Sequence, residues 1–96
     1  MEKCSVIVTC KFKKGMEEAG IKIVEKDIVP CLLKCGSTGV KLLEDVNDGT
    51  HCSYIASWNS VEAAKGAQAQ WDEKAKGLKG CCTNTPHREF FREKSE

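Results

Sequence analysis

The sequence predicts an α+β fold of the ferredoxin-like βαββαβ type, in which two helices cover one face of a four-stranded antiparallel sheet. Three observations support this prediction. The chain has 96 residues, enough for one domain only. Apolar periods typical of strands and of helices alternate along it. The resulting element order is strand, helix, strand, strand, helix, strand, and we treat residues 1–96 as a single domain.

The first strand is predicted from Cys4 to Phe12, a segment rich in β-branched residues. Because successive strand side chains point to opposite faces, every second residue lies on one face, and here that face is apolar. Val8 and Cys10 are in the middle of it.

The first helix is predicted after the turn at Gly15, since apolar residues recur at helical spacing. They are Ile21, Val24, Ile28, Cys31 and Cys35. Pro30 has no amide proton, and its ring clashes with the preceding turn. The helix therefore either ends near residue 28 or kinks there and restarts through residues 31–34.

A second strand is predicted from Val40 to Val46, with a hairpin turn at Asn47-Asp48-Gly49. The return strand, Thr50 to Trp58, contains almost no charge. Both of its faces should therefore be covered, which predicts a central position in the sheet.

The second helix is predicted to begin at a capping box formed by Asn59 and Glu62. Its apolar face would carry Val61, Ala64, Gln68, Trp71, Ala75 and Leu78. A last strand is predicted at HREFFREK, from His87 onward.

Two helices can cover only one face of four strands, although both faces of the first and third strands are largely uncharged. The second face needs a cover that a chain of this length cannot supply. We therefore expect a homodimer in which two sheets face each other.

Composition excludes several partners. A net charge of +1 lacks the basic excess needed to bind nucleic acid or an anionic membrane surface. The longest uncharged stretch, 49–61, is too short and polar to span a bilayer. Without a signal-peptide pattern, and with an odd count of seven cysteines, the sequence predicts a cytoplasmic protein rather than a disulfide framework.

Three segments carry a resemblance to a known family: the opening strand VIVTCKFKKG, the strand ending in Trp58, and the helix start NSVEAA. From Val6 to Phe91 the chain resembles the antibiotic biosynthesis monooxygenase (ABM) family of dimeric α+β barrels. That resemblance implies an ABM-like domain with a pocket in each subunit between sheet and helices. Some members oxidise quinols or anthrones with dioxygen, without metal or flavin; others degrade heme.

The residues that carry activity in those members are mostly different here. Where anthrone-oxidising members have an Asn and a Tyr around the conserved strand-end Trp, this chain has Tyr54 and Ala64. The positions that match the heme-degrading site hold Val8, Ala67 and Gly77, which cannot serve it. The resemblance thus implies a cofactor-independent monooxygenase, with a non-catalytic ligand-binding or stress-responsive barrel as the alternative.

The candidate pocket residues are Tyr54, Trp58, Val8 and Cys10, which the strand period and the resemblance place on the pocket side. An aromatic, apolar lining suits a planar aromatic or quinone-like ligand. The alternative is that both aromatic residues are ordinary core. A general base could be His51 or His87, but both precede or begin strands, where idle histidines are common, so the sequence assigns no catalytic residue.

The cysteines do not match a zinc motif. Cys31, Cys35, Cys81 and Cys82 could together offer four thiolates, yet their spacing is not that of a zinc finger or ribbon. We therefore expect no metal and no cofactor. Most of the cysteines are expected to pack as small apolar residues, and the adjacent pair Cys81-Cys82 is the most plausible reactive site.

Overall fold

The computed structural model of the protein describes residues 2–94. Its elements follow the predicted order: β1 (Cys4–Lys11), α1 (Glu17–Ile23), a π-helical segment (Val24–Ile28), α2 (Val29–Lys34), β2 (Gly39–Asp45), β3 (Asp48–Trp58), α3 (Val61–Gly66), α4 (Gln68–Ala75), a 3₁₀ turn (Lys76–Leu78) and β4 (His87–Arg92). The α+β ferredoxin-like prediction is confirmed. Within the described chain, no helix is both long enough and apolar enough to cross a membrane.

The four strands form one antiparallel sheet in the order β2-β3-β1-β4. The predicted central position of β3 is therefore confirmed. Along β1 and β3, buried residues alternate with half-buried ones. The buried set faces the helices, and the half-buried set forms an open face.

Two adjacent cross-strand rows define these faces at the middle of the sheet. The covered row consists of Leu42, Tyr54, Val8 and Arg88, in the order β2-β3-β1-β4. The open row, one residue away along each strand, consists of Lys41, Ile55, Ile7 and Glu89.

Pro30 lies in the first turn of α2, directly after the π-helical segment. In that segment the Val29 amide donates to the carbonyl of Val24, five residues earlier. An ordinary α-helical turn would press the proline ring against a backbone carbonyl, and a wider turn relieves such a contact. The helix therefore restarts after a local change of geometry, as the second of the two predicted alternatives had it.

Three local predictions were wrong. Ser60, not Asn59, is the N-cap of α3, and its Oγ accepts from the Ala63 amide at 3.1 Å. The hairpin turn lies at residues 46–47, because Asp48 is already paired with Asp45 in the ladder. The second helix is not continuous: it divides at Ala67, directly after Gly66, whose lack of a side chain weakens a helix.

Candidate functional site

A cavity of about 250 Å³ lies between the covered face of the sheet and the end of the second helix. Val8 and Tyr54 of the covered row line it on the side of the two central strands, and Arg88 lines it from β4. Its remaining lining residues come from α4, the 3₁₀ turn and the segment before β4: Asp72, Ala75, Lys76, Leu78, Lys79, Thr85 and Pro86.

Trp71 is the centre of the polar network beside this cavity. Its Nε1 donates a hydrogen bond of 2.9 Å to the hydroxyl of Tyr54, and both residues are buried. The Arg88 guanidinium carbon lies 4.3 Å from the centroid of the Trp71 ring, a cation–π arrangement. Arg88 also donates to Oδ1 of Asp72 at 2.8 Å, which leaves the guanidinium held from two sides.

The Tyr54 hydroxyl has no hydrogen-bond acceptor for its own hydrogen among the described residues. It already accepts from Trp71, and among the described residues it donates to none. Burial raises its pKa well above the ordinary value, despite the hydrogen bond from Trp71, which acts in the opposite direction. Tyr54 therefore stays protonated near neutral pH and can offer its hydrogen to an oxygen atom in the cavity.

Two further buried donors have no hydrogen-bond partner within residues 2–94: Nε of Arg88 and Nε1 of Trp58. Leaving such a group unpaired in the interior costs about 1–3 kcal/mol, so each needs an explanation. Both flank Trp71, since the Trp58 and Trp71 rings lie 6.2 Å apart. Of the three donors, those of Tyr54 and Arg88 belong to residues that line the cavity, where an oxygen-bearing ligand could satisfy them.

The charges around the cavity are mainly positive. Arg88, Lys76 and Lys79 line it together with Asp72. Arg88 is paired with Asp72 and Lys76 with Glu73, and Lys79 has no ion pair among residues 2–94. Cations at the rim favour an anionic or strongly hydrogen-bond-accepting guest. Among the described residues, no three His, Cys, Asp or Glu side chains converge to hold a metal ion.

The four predicted pocket residues divide into two groups. Val8 and Tyr54 line the cavity. Trp58 and Cys10 are fully buried beside it, Trp58 against Trp71 and Cys10 near Cys82, and their contact with a ligand stays a prediction. His51 pairs with Asp45 at 3.1 Å, at the far end of the hairpin, and His87 is exposed.

Sequence reasoning missed Arg88 and the hydrogen-bonding role of Trp71. One signal could have found Arg88: in HREFFR, the alternation that puts Phe90 on the helix side also puts Arg88 there. An arginine on the buried face of a strand is rare unless it has partners.

No protein-family model matches the sequence, and no curated protein sequence matches it. Solved structures do match its fold. SnoaB, a cofactor-independent oxygenase from Streptomyces nogalater, has a TM-score of 0.85 at 15% identity, covering 100% of this chain and 97% of that one. A conserved protein from Methanosarcina mazei has a TM-score of 0.84 at 12% identity, covering 98% and 95%.

A proposed antibiotic biosynthesis monooxygenase from Bordetella bronchiseptica has a TM-score of 0.75 at 19% identity and covers 99% of this chain and 100% of that one. At such identities, the likeness establishes a shared fold and leaves the chemistry to the site. The chain therefore has the fold of the ABM proteins, as the sequence predicted.

Proposed function

We propose that the cavity binds a compact, planar aromatic molecule of quinone or quinol type, and that the protein oxidises it with dioxygen without a bound cofactor. The observation that carries this proposal is the set of unpaired donors at Tyr54 and Arg88 in one cavity. The fold shared with a cofactor-independent oxygenase supports it. A cytoplasmic location is part of the proposal, because an odd number of cysteines suits a reducing compartment.

The dimensions of the cavity favour a small ring system. Its volume of about 250 Å³ is slightly below the roughly 300 Å³ at which pockets for drug-sized ligands begin. The Trp71, Trp58 and Tyr54 rings provide flat apolar surface nearby. A guest of two or three fused rings, with an oxygen at its edge, fits this combination.

The donors would act on the oxygen of such a guest. A phenol or enol gives an electron to dioxygen far more readily once its proton has passed to solvent, and a cation with a hydrogen-bond donor stabilises that anion. Arg88 supplies the positive charge, and Tyr54 supplies the donor. For an anthrone-type substrate, one CH₂ carbon and one O₂ give one carbonyl and one water, with all electrons coming from the substrate.

A second candidate function is ligand binding without catalysis. The protonation of Tyr54 favours it, because burial keeps this hydroxyl from acting as a base near neutral pH. The remaining acidic group of the cavity, Asp72, is exposed and paired with Arg88.

Oxygen uptake distinguishes the two functions. The purified protein is incubated with naphthalene- and anthracene-type quinols and anthrones, and O₂ consumption is followed against buffer. Catalysis predicts acceleration that falls about 10-fold in Tyr54→Phe, the equivalent of one hydrogen bond to a charged acceptor. Arg88→Lys should also slow the reaction. Its matched control is Arg92→Lys, at the end of the same strand, which should keep the rate of the unaltered protein. No acceleration with any compound would leave only the binding role.

The homodimer is proposed from the open face of the sheet. Ile7 and Ile55 occupy its centre, Leu43 and Phe91 are 47% and 45% exposed at its edges, and its charged residues Lys41 and Glu89 lie on the two outer strands. Exposed apolar surface of this kind marks an interface. Light scattering at micromolar concentration should give twice the monomer mass of 10.6 kDa. The mass measured for Ile55→Asp should be that of the monomer. A mass of 10.6 kDa for the unaltered chain would refute the dimer.

A further inference from the structure

A second concave surface lies on the outside of the helix layer, away from the cavity. It is a groove of about 980 Å³ between the first helix and α4. Eight of its ten lining residues are exposed, and the other two, Cys31 and Cys35, are half-buried. The two cysteines therefore form the least exposed part of the groove, and solvent still reaches both.

The two thiols are neighbours. They stand four residues apart at the end of α2, and residues at that spacing lie on one helix face with Cβ atoms about 5–6 Å apart. The Cys35 amide donates to the Cys31 carbonyl at 3.0 Å. One helical turn therefore separates the two thiols.

We propose that Cys31 and Cys35 form a two-thiolate site for a soft monovalent cation of the copper(I) class. Cβ atoms about 5–6 Å apart at this spacing are too distant for a relaxed disulfide, which needs about 3.5–4.5 Å. A metal ion between the sulfurs, with two bonds of roughly 2.3 Å as in other metal–thiolate sites, bridges that gap. Thiolates select soft cations, and a site with two ligands does not meet the four-ligand preference of zinc.

The charge balance of the groove favours this complex. Two thiols lose two protons and bind one monovalent cation, so the complex carries one negative charge. Lys26, Lys34 and Lys74 line the groove, against the carboxylates of Asp27 and Glu73. No carboxylate within residues 2–94 forms an ion pair with these three lysines, whereas Glu73 is paired with Lys76.

The other five cysteines are more deeply buried than Cys31 and Cys35. Burial raises the pKa of Cys10 to about 12 and that of Cys52 to about 11. Cys81 and Cys82 are only 5% and 4% exposed. The chain folds Cys81 and Cys82 against the end of β1, where Cys82 bridges to Phe12, so solvent reaches them less than it reaches Cys31 and Cys35. The sequence-based view of Cys81-Cys82 as the most plausible reactive pair stays a prediction.

Copper(I) titration tests the site. The full-length protein is titrated without oxygen, in competition with a chromophoric copper(I) chelator. We expect one copper(I) per chain and release of two protons per ion in weak buffer. Cys31→Ser and Cys35→Ser should each weaken binding by at least about 100-fold, since loss of a direct ligand exceeds the 10–100-fold cost of losing a supporting one.

The double variant Cys81→Ala/Cys82→Ala is the matched control and should bind copper(I) as the unaltered chain does. Far-UV circular dichroism of every variant confirms that it is folded. Undiminished binding in folded Cys31→Ser/Cys35→Ser would overturn the proposal, and so would failure of the unaltered chain to compete for copper(I). Ready loss of two hydrogens under mild oxidation, located to Cys31 and Cys35, would identify a disulfide pair and also overturn it.

Discussion

The covered row and the open row are built by the same four strands, one residue apart, and they differ in almost every chemical respect. The covered row holds a protonated tyrosine and an arginine, both connected to Trp71. The open row has two isoleucines at its centre and opposite charges, Lys41 and Glu89, at its ends. Strand alternation alone thus separates a surface suited to a ligand from one suited to a second copy of the chain.

The largest expected effect is on the covered face, through Trp71. Trp71→Ala removes a fully buried indole and should lower the free energy of unfolding by about 3–5 kcal/mol, measured by urea denaturation. Trp71→Phe is the control: it keeps a ring against Arg88 but loses the hydrogen bond to Tyr54, so it should cost clearly less. Equal losses in both variants would mean that the hydrogen bond, not the ring, stabilises this face.

Close packing under the first helix gives the next largest effect. A Cβ atom on Gly20 would collide with the Phe12 ring, whereas one on Gly66 would meet no atom. Gly20→Ala should therefore destabilise by about 1–3 kcal/mol. Gly66→Ala should stabilise by about 0.5–1 kcal/mol, because glycine is a poor helix former. Thermal unfolding of both variants measures these changes in stability. A stabilised Gly20→Ala would contradict the close contact between Gly20 and the Phe12 ring.

The covered face should also make stability fall in alkaline solution. Burial raises the pKa of Tyr54, Cys10 and Cys52, so these groups keep their protons in the folded chain at a pH where the unfolded chain loses them. The unfolded state then binds fewer protons, and the free energy of unfolding decreases as pH rises. The decrease should begin near pH 9 and continue through about 11–12. Urea denaturation at several pH values should show a shallower decrease in Cys52→Ala; an unchanged slope would rule that thiol out as a cause.

The smallest effect belongs to the open row. A two-fold axis parallel to the strands would set Lys41 of each subunit against Glu89 of the other. Exposed ion pairs contribute about 0.2–1 kcal/mol each, so Lys41→Glu should weaken the dimer several-fold, and Lys41→Glu/Glu89→Lys should restore it. Dimer dissociation measured by analytical ultracentrifugation checks this, and failure of the double exchange to restore affinity would exclude that axis.

Most of the fold could be predicted from the sequence because apolar residues recur regularly, at every second residue in the strands and at every third or fourth in the helices. β1 alternates over its whole length, and Val61, Ala64, Trp71 and Leu78 mark the packed face of the second helix. The errors in the element boundaries occur where two neighbouring residues are equally suited to the same structural role. Asn59 and Ser60 are both good caps, and only the backbone geometry of the chain decides between them.

The site could be predicted only in part. Strand period was enough to select Val8 and Tyr54 as neighbours. It could not indicate that the nitrogen of Trp71 reaches the Tyr54 hydroxyl, because that contact joins residues 17 positions apart through tertiary packing. For the same reason the exposure of the cysteines was misjudged: Cys31 and Cys35 have a helical spacing typical of core, yet they border a groove.

The most direct test of the ligand site is a titration with a hydroxylated naphthoquinone, followed by quenching of tryptophan fluorescence, in the unaltered protein and in Tyr54→Phe. Tyr54 is predicted to donate its free hydrogen to the ligand oxygen, so the variant should bind about 10-fold more weakly, with a matching loss of about 1.4 kcal/mol. Equal affinity in a folded Tyr54→Phe, or no binding of any such compound to the unaltered protein, would contradict the proposed ligand site.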